Sequence, residues 1–487
     1  MTKHPLIKGL YIGGSWVDPD RTFRDTNPVD DSLWAEIPDG GIKEVRRAIE
    51  AAAKAFPAWS ALPYTVRAQH MLRAADIWEK RAEDFASAMQ GEGGGTYGKG
   101  MYENAYVPTV LRAAAAVCHQ SLGDVMPSEH NKVSMAIRRP LGVVTVLAPW
   151  NFPAILAVRQ FANPMAIGNT IILKPSEETP YTGGLFFAEV MEEAGIPAGV
   201  FNVITCSREN VQAVGDELIE NPAVKGVAFT GSSAVGRYVS AKCGAHLKKC
   251  CIELGGNDAL IVRQDADIER ATHAASFGSF MHQGQICMSV ERILVHQSIF
   301  DRFLERFVER TRKLKMGDTQ DRSTIIGPLI SRKQAEKVRG QINDAVAKGA
   351  KIIIGGGGQG NYVEPTILTN VRRDMAIWQQ ETFGPVVPVI PFRDDEEAIA
   401  ICNDTEYGLS SGVFSADEAK ALSIARRLET GMCHVNCSPV NDEPHVPFGG
   451  VKSSGTGRNG GRWSVETFSE TRWVTLDRGG RPFPPVF

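Results

Sequence analysis

The run Gly142-Val143-Val144-Thr145-Val146-Leu147-Ala148-Pro149-Trp150-Asn151-Phe152-Pro153 decides how the rest of the chain is read. The unbroken hydrophobicity of Val143 to Leu147 suits a strand buried on both faces. Three more such runs follow, Thr170 to Leu173, Phe201 to Ile204 and Gly226 to Phe229, with helical segments between them. Together they predict a parallel α/β sheet, and a sheet of that kind takes its ligand outside the carboxyl ends of its strands. The residues that follow each run are therefore the ones to inspect.

Upstream, Ile42, Val45, Ile49, Ala52 and Phe56 keep the 3,4 spacing of an amphipathic helix after the turn Asp39-Gly40-Gly41, and a second helical stretch covers roughly Arg67 to Met89. Downstream, Phe300, Phe303, Leu304, Phe307 and Leu314 make a helix face, and strand-like runs recur at Lys351 to Ile354 and Val386 to Ile390, which predicts a second α/β lobe. A glycine-rich loop from Pro447 to Gly461 precedes a last short strand, Trp473 to Leu476, expected to be available for pairing with another subunit.

Composition narrows the function class. The 487 residues are too many for one core, and domain sizes suggest about two or three domains. With 43% hydrophobic and 22% charged residues and a net charge of −3, the chain is an ordinary globular one with no electrostatic pull towards nucleic acid or an anionic membrane. Met1 to Trp16 lacks a basic segment followed by an apolar core, and no apolar run approaches the ~20 residues of a membrane span, so a cytoplasmic protein with a small-molecule partner is expected. The nine cysteines, with Cys250-Cys251 as a mere vicinal pair, show neither a disulfide framework nor metal-ligand spacing, and no metal is expected.

Polar groups stand at three strand ends: Pro149 to Pro153, Lys174-Pro175-Ser176-Glu177, and Thr230-Gly231-Ser232. Gly231-Ser232 opens a helix through Val235 and Tyr238, whose first N–H groups suit a diphosphate, and Lys174 with Glu177 suits ribose hydroxyls. Singly each reads equally well as a surface charge or a helix cap; jointly they favour a nucleotide site. Glu253 sits inside the apolar run Cys250 to Gly256, where burial raises a carboxyl pKa and fits it for general-base work, a structural ion pair being the competing reading. Cys287, in Phe280-Met281-His282-Gln283-Gly284-Gln285-Ile286-Cys287-Met288-Ser289, would alone read as a small buried apolar residue; with Glu253 and the strand-end groups it reads as a nucleophile of lowered pKa.

Two patterns mislead. GxGxxG occurs at Gly93/Gly95/Gly98, Gly355/Gly357/Gly360 and Gly455/Gly457/Gly460, but the first follows a helix, the second leads into strand-like Tyr362-Val363-Glu364 and the third follows a loop. Gly408-Leu409-Ser410-Ser411-Gly412 fits a serine-hydrolase elbow, yet it leads into extended Val413-Phe414 rather than a helix.

PWNFP at 149–153, KPSE at 174–177, FTGS at 229–232, ELGG at 253–256, GQICMS at 284–289 and ETFGP at 381–385 together resemble the NAD(P)-dependent aldehyde dehydrogenase superfamily, from about Tyr11 to the C-terminus. The resemblance implies a Rossmann-type cofactor domain over 1–120 and 142–252, a catalytic domain over 253–463, and a small β oligomerisation arm from 121–141 and 464–487, in a homodimer or homotetramer. It implies that Cys287 attacks an aldehyde, that the Asn151 amide and the Cys287 N–H hold the oxyanion, and that Glu253 activates the water that hydrolyses the thioester. Trp150, Lys174, Glu177, Gly231, Ser232, Gly236, Glu381 and Phe383 would bind the cofactor. Glu177 would repel a 2′-phosphate, so NAD is expected, with NADP the alternative.

Phe152, Arg159 and Phe448 would line the substrate pocket. Arg159 stands where many members carry an aromatic residue, Asn459 where some carry a proton-relaying glutamate, and Cys206 where a glycine is usual near the adenine. The GQICMS context, Arg159 and the tail look similar to the benzaldehyde, vanillin and salicylaldehyde dehydrogenases, which implies aromatic substrates. A CoA-acylating enzyme and a non-catalytic relative are the alternatives; Glu253 argues against the first and the set Asn151, Glu253 and Cys287 against the second.

Overall fold

All four apolar runs become strands of one eight-stranded sheet in the computed structural model, which describes residues 7–129, 131–479 and 482–486. Its order is Gly455–Thr456, Lys249–Glu253, Val224–Thr230, Val143–Leu147, Thr170–Lys174, Phe201–Val203, Leu10–Ile12, Ser15–Val17. The strands from Lys249–Glu253 to Phe201–Val203 run parallel, and antiparallel neighbours close both edges. Helices cover both faces, which is why Val143–Leu147 and Thr170–Lys174 are buried at every position. The helix Pro153–Ala166, started by a proline that needs no N–H partner, is buried along its whole length.

A second sheet has seven strands, Lys351–Ile354, Thr366–Thr369, Val386–Phe392, Val290–His296, Asp258–Val262, Ser411–Phe414 and His434–Val435, parallel except for the first pair. A third holds Ser469–Asp477, Lys132–Pro140 and Gly123–Met126. The terminal strand finds its partner within the chain, in register from Ser469↔Pro140 to Asp477↔Lys132, and keeps one edge open among the described residues. Met1 to Leu6, where the leader reading begins, lie outside the described residues, as do 130, 480, 481 and 487.

Two expected elements differ. The stretch Arg67 to Met89 is two helices, Tyr64–Lys80 and Ala82–Glu92, because the Arg81 N–H bonds Trp78 O at 3.0 Å and turns the chain so that the Trp78 and Phe85 rings pack 5.0 Å apart. Tyr362-Val363-Glu364 is loop, not strand: the chain folds back through left-handed Gly358 and Gly360, and the Glu364 carboxylate accepts the Gly357 N–H at 3.1 Å. The third GxGxxG overlaps the two-residue strand Gly455–Thr456, but that strand is an antiparallel edge, without the parallel strand the fingerprint requires.

One buried ion pair anchors the helix that begins beside Asn151. Glu103, on the helix Tyr97–Val117, accepts the N–H groups of Ala154 and Ile155 at 3.0 and 3.1 Å and pairs with the buried Lys99 ammonium. Glu103→Ala strands a buried charge and two helix N–H groups, so a loss of about 3–5 kcal/mol is expected, read as a lowered thermal unfolding midpoint.

Candidate active site

The Cys287 loop is built from unfavourable backbone. His282 and Gln283 hold φ of 47° and 56°, and Gly284 follows at 70°, where a Cβ would lie 2.2 Å from the Gly384 carbonyl oxygen. Only glycine fits there. Side chains secure the loop: Gln283 Nε2 donates to Pro328 O at 2.9 Å, and Gln285 Oε1 accepts the Ile330 N–H at 2.9 Å. The Asn151 amide donates to Gln285 O at 3.0 Å, leaving its second N–H for another acceptor.

Glu253 ends its strand in register with Thr230, which places the Thr230 hydroxyl 2.9 Å from Glu253 Oε2. Burial pushes the Glu253 carboxyl up to about 7, and its neighbour is the Cys287 thiol. Burial first, then the nearby carboxyls of Glu253, Asp258 and Glu381, holds the Cys287 thiol well above the usual range. The expectation of a lowered thiol pKa is therefore corrected: no cation or helix N-terminus is among the causes acting on it, and the resting group is a neutral thiol.

Cys287 and Asn151 lie between two cavities. One, of about 210 Å³, is lined by Trp150 and Asn151 beyond one strand, Thr230 at the end of the next with Gly231 and Ser232 beyond it, Gly255 beyond the third, and Lys337, Glu381 and Phe383 from the second lobe. The Trp150 and Phe383 rings meet edge to face at 5.4 Å. Glu381 accepts the Gly256 N–H at 3.0 Å, and burial raises its carboxyl to about 7 against the pull of Lys337.

The other predicted cofactor residues are placed differently. The Gly231 N–H is already bonded to Glu253 O at 3.1 Å, and the Ser232 hydroxyl caps its own helix, Ser233–Ala245. Gly236 gives Leu254 room, since a Cβ there would fall 2.2 Å from the leucine side chain. Lys174 and Glu177 pair at 3.8 Å at the end of Thr170–Lys174, with Cys206 buried nearby, and none of the three lines this cavity.

The second cavity reaches Cys287 from the opposite side. Its walls are largely apolar, with Tyr102, Phe152, Ile155, Met281 and Phe448 among them and Asp442 as the one acidic side chain. Phe152 and Phe448 line it as expected. Arg159 stands behind: it pairs with Asp442, donates to Tyr106 Oη at 2.8 Å and Glu443 O at 3.0 Å, and lies 4.6 Å from the Phe448 ring centroid. Asn459 is buried with neither amide atom partnered among the described residues. Ser410 is buried and its hydroxyl donates to Pro439 O at 2.9 Å, so it is no exposed nucleophile.

Sequence reading missed Glu291, Asp442, Tyr106 and Lys337. Glu291 carried a signal, a charge inside the apolar strand Val290–His296; its carboxylate accepts the Thr382 and Phe383 N–H groups and supports Phe383 at φ 54°. The others carried none. Among the described residues no cluster of three or more His, Cys, Asp or Glu is placed to hold a metal ion.

Comparison with known proteins places this geometry. The model of the aldehyde dehydrogenase family matches residues 16–474. The chain is 41% identical over 480 residues to a vanillin dehydrogenase of Pseudomonas sp. (strain HR199 / DSM 7063), covering 98% of this chain and 99% of that one. Among solved structures it is similar to a salicylaldehyde dehydrogenase from Pseudomonas putida G7 complexed with salicylaldehyde, with a TM-score of 0.96 and 38% identity over 98% of this chain and 99% of that one. It is also similar to PnpE in complex with nicotinamide adenine dinucleotide, with a TM-score of 0.95 and 36% identity over 98% and 99%.

A neutral thiol beside a carboxyl makes alkylation pH-dependent. In the cofactor-free protein the rate of Cys287 labelling by iodoacetamide, followed by mass spectrometry, is expected to rise steeply across about pH 6–9, since the thiolate is the nucleophile. A flat rate would mean a preformed thiolate.

Proposed function

This chain belongs to the aldehyde dehydrogenase family, and from that we propose that it oxidises aromatic aldehydes to carboxylic acids with NAD, using Cys287 as nucleophile, Asn151 as oxyanion donor and Glu253 as base. The observation that carries the reading is the position of Cys287 and Asn151, which border both the polar cleft at the strand ends and the aromatic-lined pocket.

The cleft fits a dinucleotide on its own chemistry: it lies at the carboxyl ends of parallel strands, with a half-buried carboxyl, Glu381, and two aromatic rings on its wall. Trp150, Phe383 and Glu381 would hold the nicotinamide side, Gly231, Ser232 and Gly236 the diphosphate region, and Lys174 and Glu177 the adenine-side ribose. NAD, when bound, supplies the hydride acceptor. Because Glu177 is a carboxylate, a 2′-phosphate there would bring two anions together, and NAD is favoured over NADP.

Ionised Glu253 takes the Cys287 proton, and the thiolate adds to the aldehyde carbon. The free Asn151 N–H and the Cys287 backbone N–H stabilise the oxyanion as charge develops. Loss of hydride leaves a thioester on Cys287; once Glu253 has released the thiol's proton to solvent and is ionised again, it accepts a proton from the attacking water, and the acid leaves as the Cys287 thiolate is expelled and reprotonated. Phe152, Phe448 and the Arg159-backed wall take the ring, where edge or offset packing adds roughly 0.5–1.5 kcal/mol beyond burial.

The same reading assigns 1–120 and 142–252 to cofactor binding, 253–463 to catalysis and 121–141 with 464–487 to oligomer contacts. The open edge of Ser469–Asp477 and the exposed Trp473 support a homodimer or homotetramer. A cytoplasmic setting accords with nine unpaired cysteines, and no described helix is long and apolar enough to cross a membrane.

Purified protein should form NADH with benzaldehyde at a kcat/KM several-fold above that with acetaldehyde; a clear advantage for acetaldehyde would overturn the substrate class. Cys287→Ala should oxidise neither aldehyde. With Glu253→Gln, rapid mixing should show a burst approaching one NADH per site and then a steady rate lower by roughly 10²–10⁴-fold. Wild-type turnover that requires added CoA would replace hydrolysis with acyl transfer to a thiol.

A further inference from the structure

Behind Glu253 lies a buried hydrogen-bond chain whose hydrogens can be counted. Thr230 Oγ1 is 2.9 Å from Glu253 Oε2, and on its other side it meets the side-chain amide of Gln160, a residue 1% exposed on the helix Pro153–Ala166. One orientation satisfies that amide: its nitrogen donates to Ala228 O at 3.3 Å, while its oxygen accepts from the Thr230 backbone N–H at 3.2 Å and from the Thr230 hydroxyl. The reverse sets oxygen against oxygen at Ala228 and N–H against N–H at Thr230. A threonine hydroxyl owns one hydrogen, and here Gln160 takes it. Towards Glu253 the hydroxyl then presents only lone pairs, so the carboxyl oxygen facing it must bring the hydrogen.

We propose that Gln160 and Thr230 are a positioning pair that holds Glu253 turned inward as the neutral acid, so that the base becomes available only when the carboxyl gives up this contact. The proposal rests on the reading of Glu253 as the deacylating base and adds how its protonation is set. Four other groups face the carboxyl: the Cys287 thiol, the Cys251 thiol beside it on the strand, the Arg159 guanidinium and Asp442. Arg159 and Asp442 pair with each other and largely cancel, and both thiols are held neutral by burial. Burial sets the overall preference of Glu253 for its neutral form and the Cys287 thiol, by hydrogen bonding, opposes it; the direction of the Thr230 hydroxyl is the remaining local choice that shifts the balance between the two forms. The second oxygen, Oε1, has no hydrogen-bond partner among the described residues, which leaves that side of the group open to rearrangement.

The test is a titration with two readouts: the protonated-carboxyl infrared band of the cofactor-free protein that Glu253→Gln removes, and the acidic limb of the steady-state rate. In Gln160→Met the Thr230 hydrogen is freed to turn towards Glu253 and favour the carboxylate, so the midpoint should fall by about one pH unit. In Thr230→Val the neutral acid loses its acceptor, and the midpoint should fall by less; Thr230→Ser should restore the wild-type value. If Thr230 instead donates to Glu253, Thr230→Val raises the midpoint, and the proposal is overturned. Should Thr230→Val not fold, Gln160→Met decides alone, and an unmoved midpoint overturns the proposal. Equal losses of rate at every pH would leave Gln160 a merely structural residue, which also overturns it. Absence of any aldehyde oxidation by wild type would sink the dehydrogenase reading, while the infrared midpoints would still judge the pair.

Discussion

Glu253 ends the strand Lys249–Glu253 of one sheet and Cys287 lies just before the strand Val290–His296 of another, yet their side chains meet in a largely buried position between the two cavities. Burial disfavours the charge on each, and the carboxyl further opposes a thiolate. Both groups therefore hold their protons more tightly than in water, Glu253 up to about 7 and Cys287 well above the usual thiol range. Such a site is quiet until substrate and cofactor change its surroundings, which suits a thiol that must not be oxidised or alkylated between turnovers.

The same constraint organises the residues around the pair. Three further carboxyls, buried Glu103 and Glu291 and half-buried Glu381, accept backbone N–H groups: those of Ala154 and Ile155, of Thr382 and Phe383, and of Gly256. Each fixes one segment of the cleft or pocket wall. Buried charge of this kind is weak as net stabilisation but strong as a positional restraint, because removing one partner leaves the other unpaired.

Much of this was legible in the sequence for a simple reason. A parallel strand buried on both faces leaves an uninterrupted apolar run, so four of the five parallel strands of the eight-stranded sheet could be read, and the motifs after Val143–Leu147 and at the end of Val224–Thr230 fell into one cleft. Elements that depend on distant partners could not be read. The break at Arg81 is made by ring packing between Trp78 and Phe85, and the loop at Tyr362 to Glu364 by one carboxylate folding back on Gly357. Arg159 was legible as a departure from pattern, but its place behind the pocket wall follows from Asp442, far along the chain. The thiol pKa was misjudged for the same reason: its direction is set first by burial and then by three carboxyls, and folding alone brings these about.

The edge strand Gly455–Thr456 carries one more implication, for how the site comes into being. It pairs with Ile252 and Glu253, while the neighbouring Ser454 accepts the Leu254 N–H at 3.0 Å and donates its hydroxyl to Gly255 O at 2.6 Å. A segment synthesised some two hundred residues later thus completes the backbone around Glu253. The eight-stranded sheet has its five parallel strands once residue 253 has emerged, but the Glu253 carboxyl has its final neighbours only when almost the whole chain has left the ribosome. Nascent chains therefore carry a buried-type glutamate on an unfinished sheet edge, and the reactive pair is assembled last, after the scaffold that keeps it quiet.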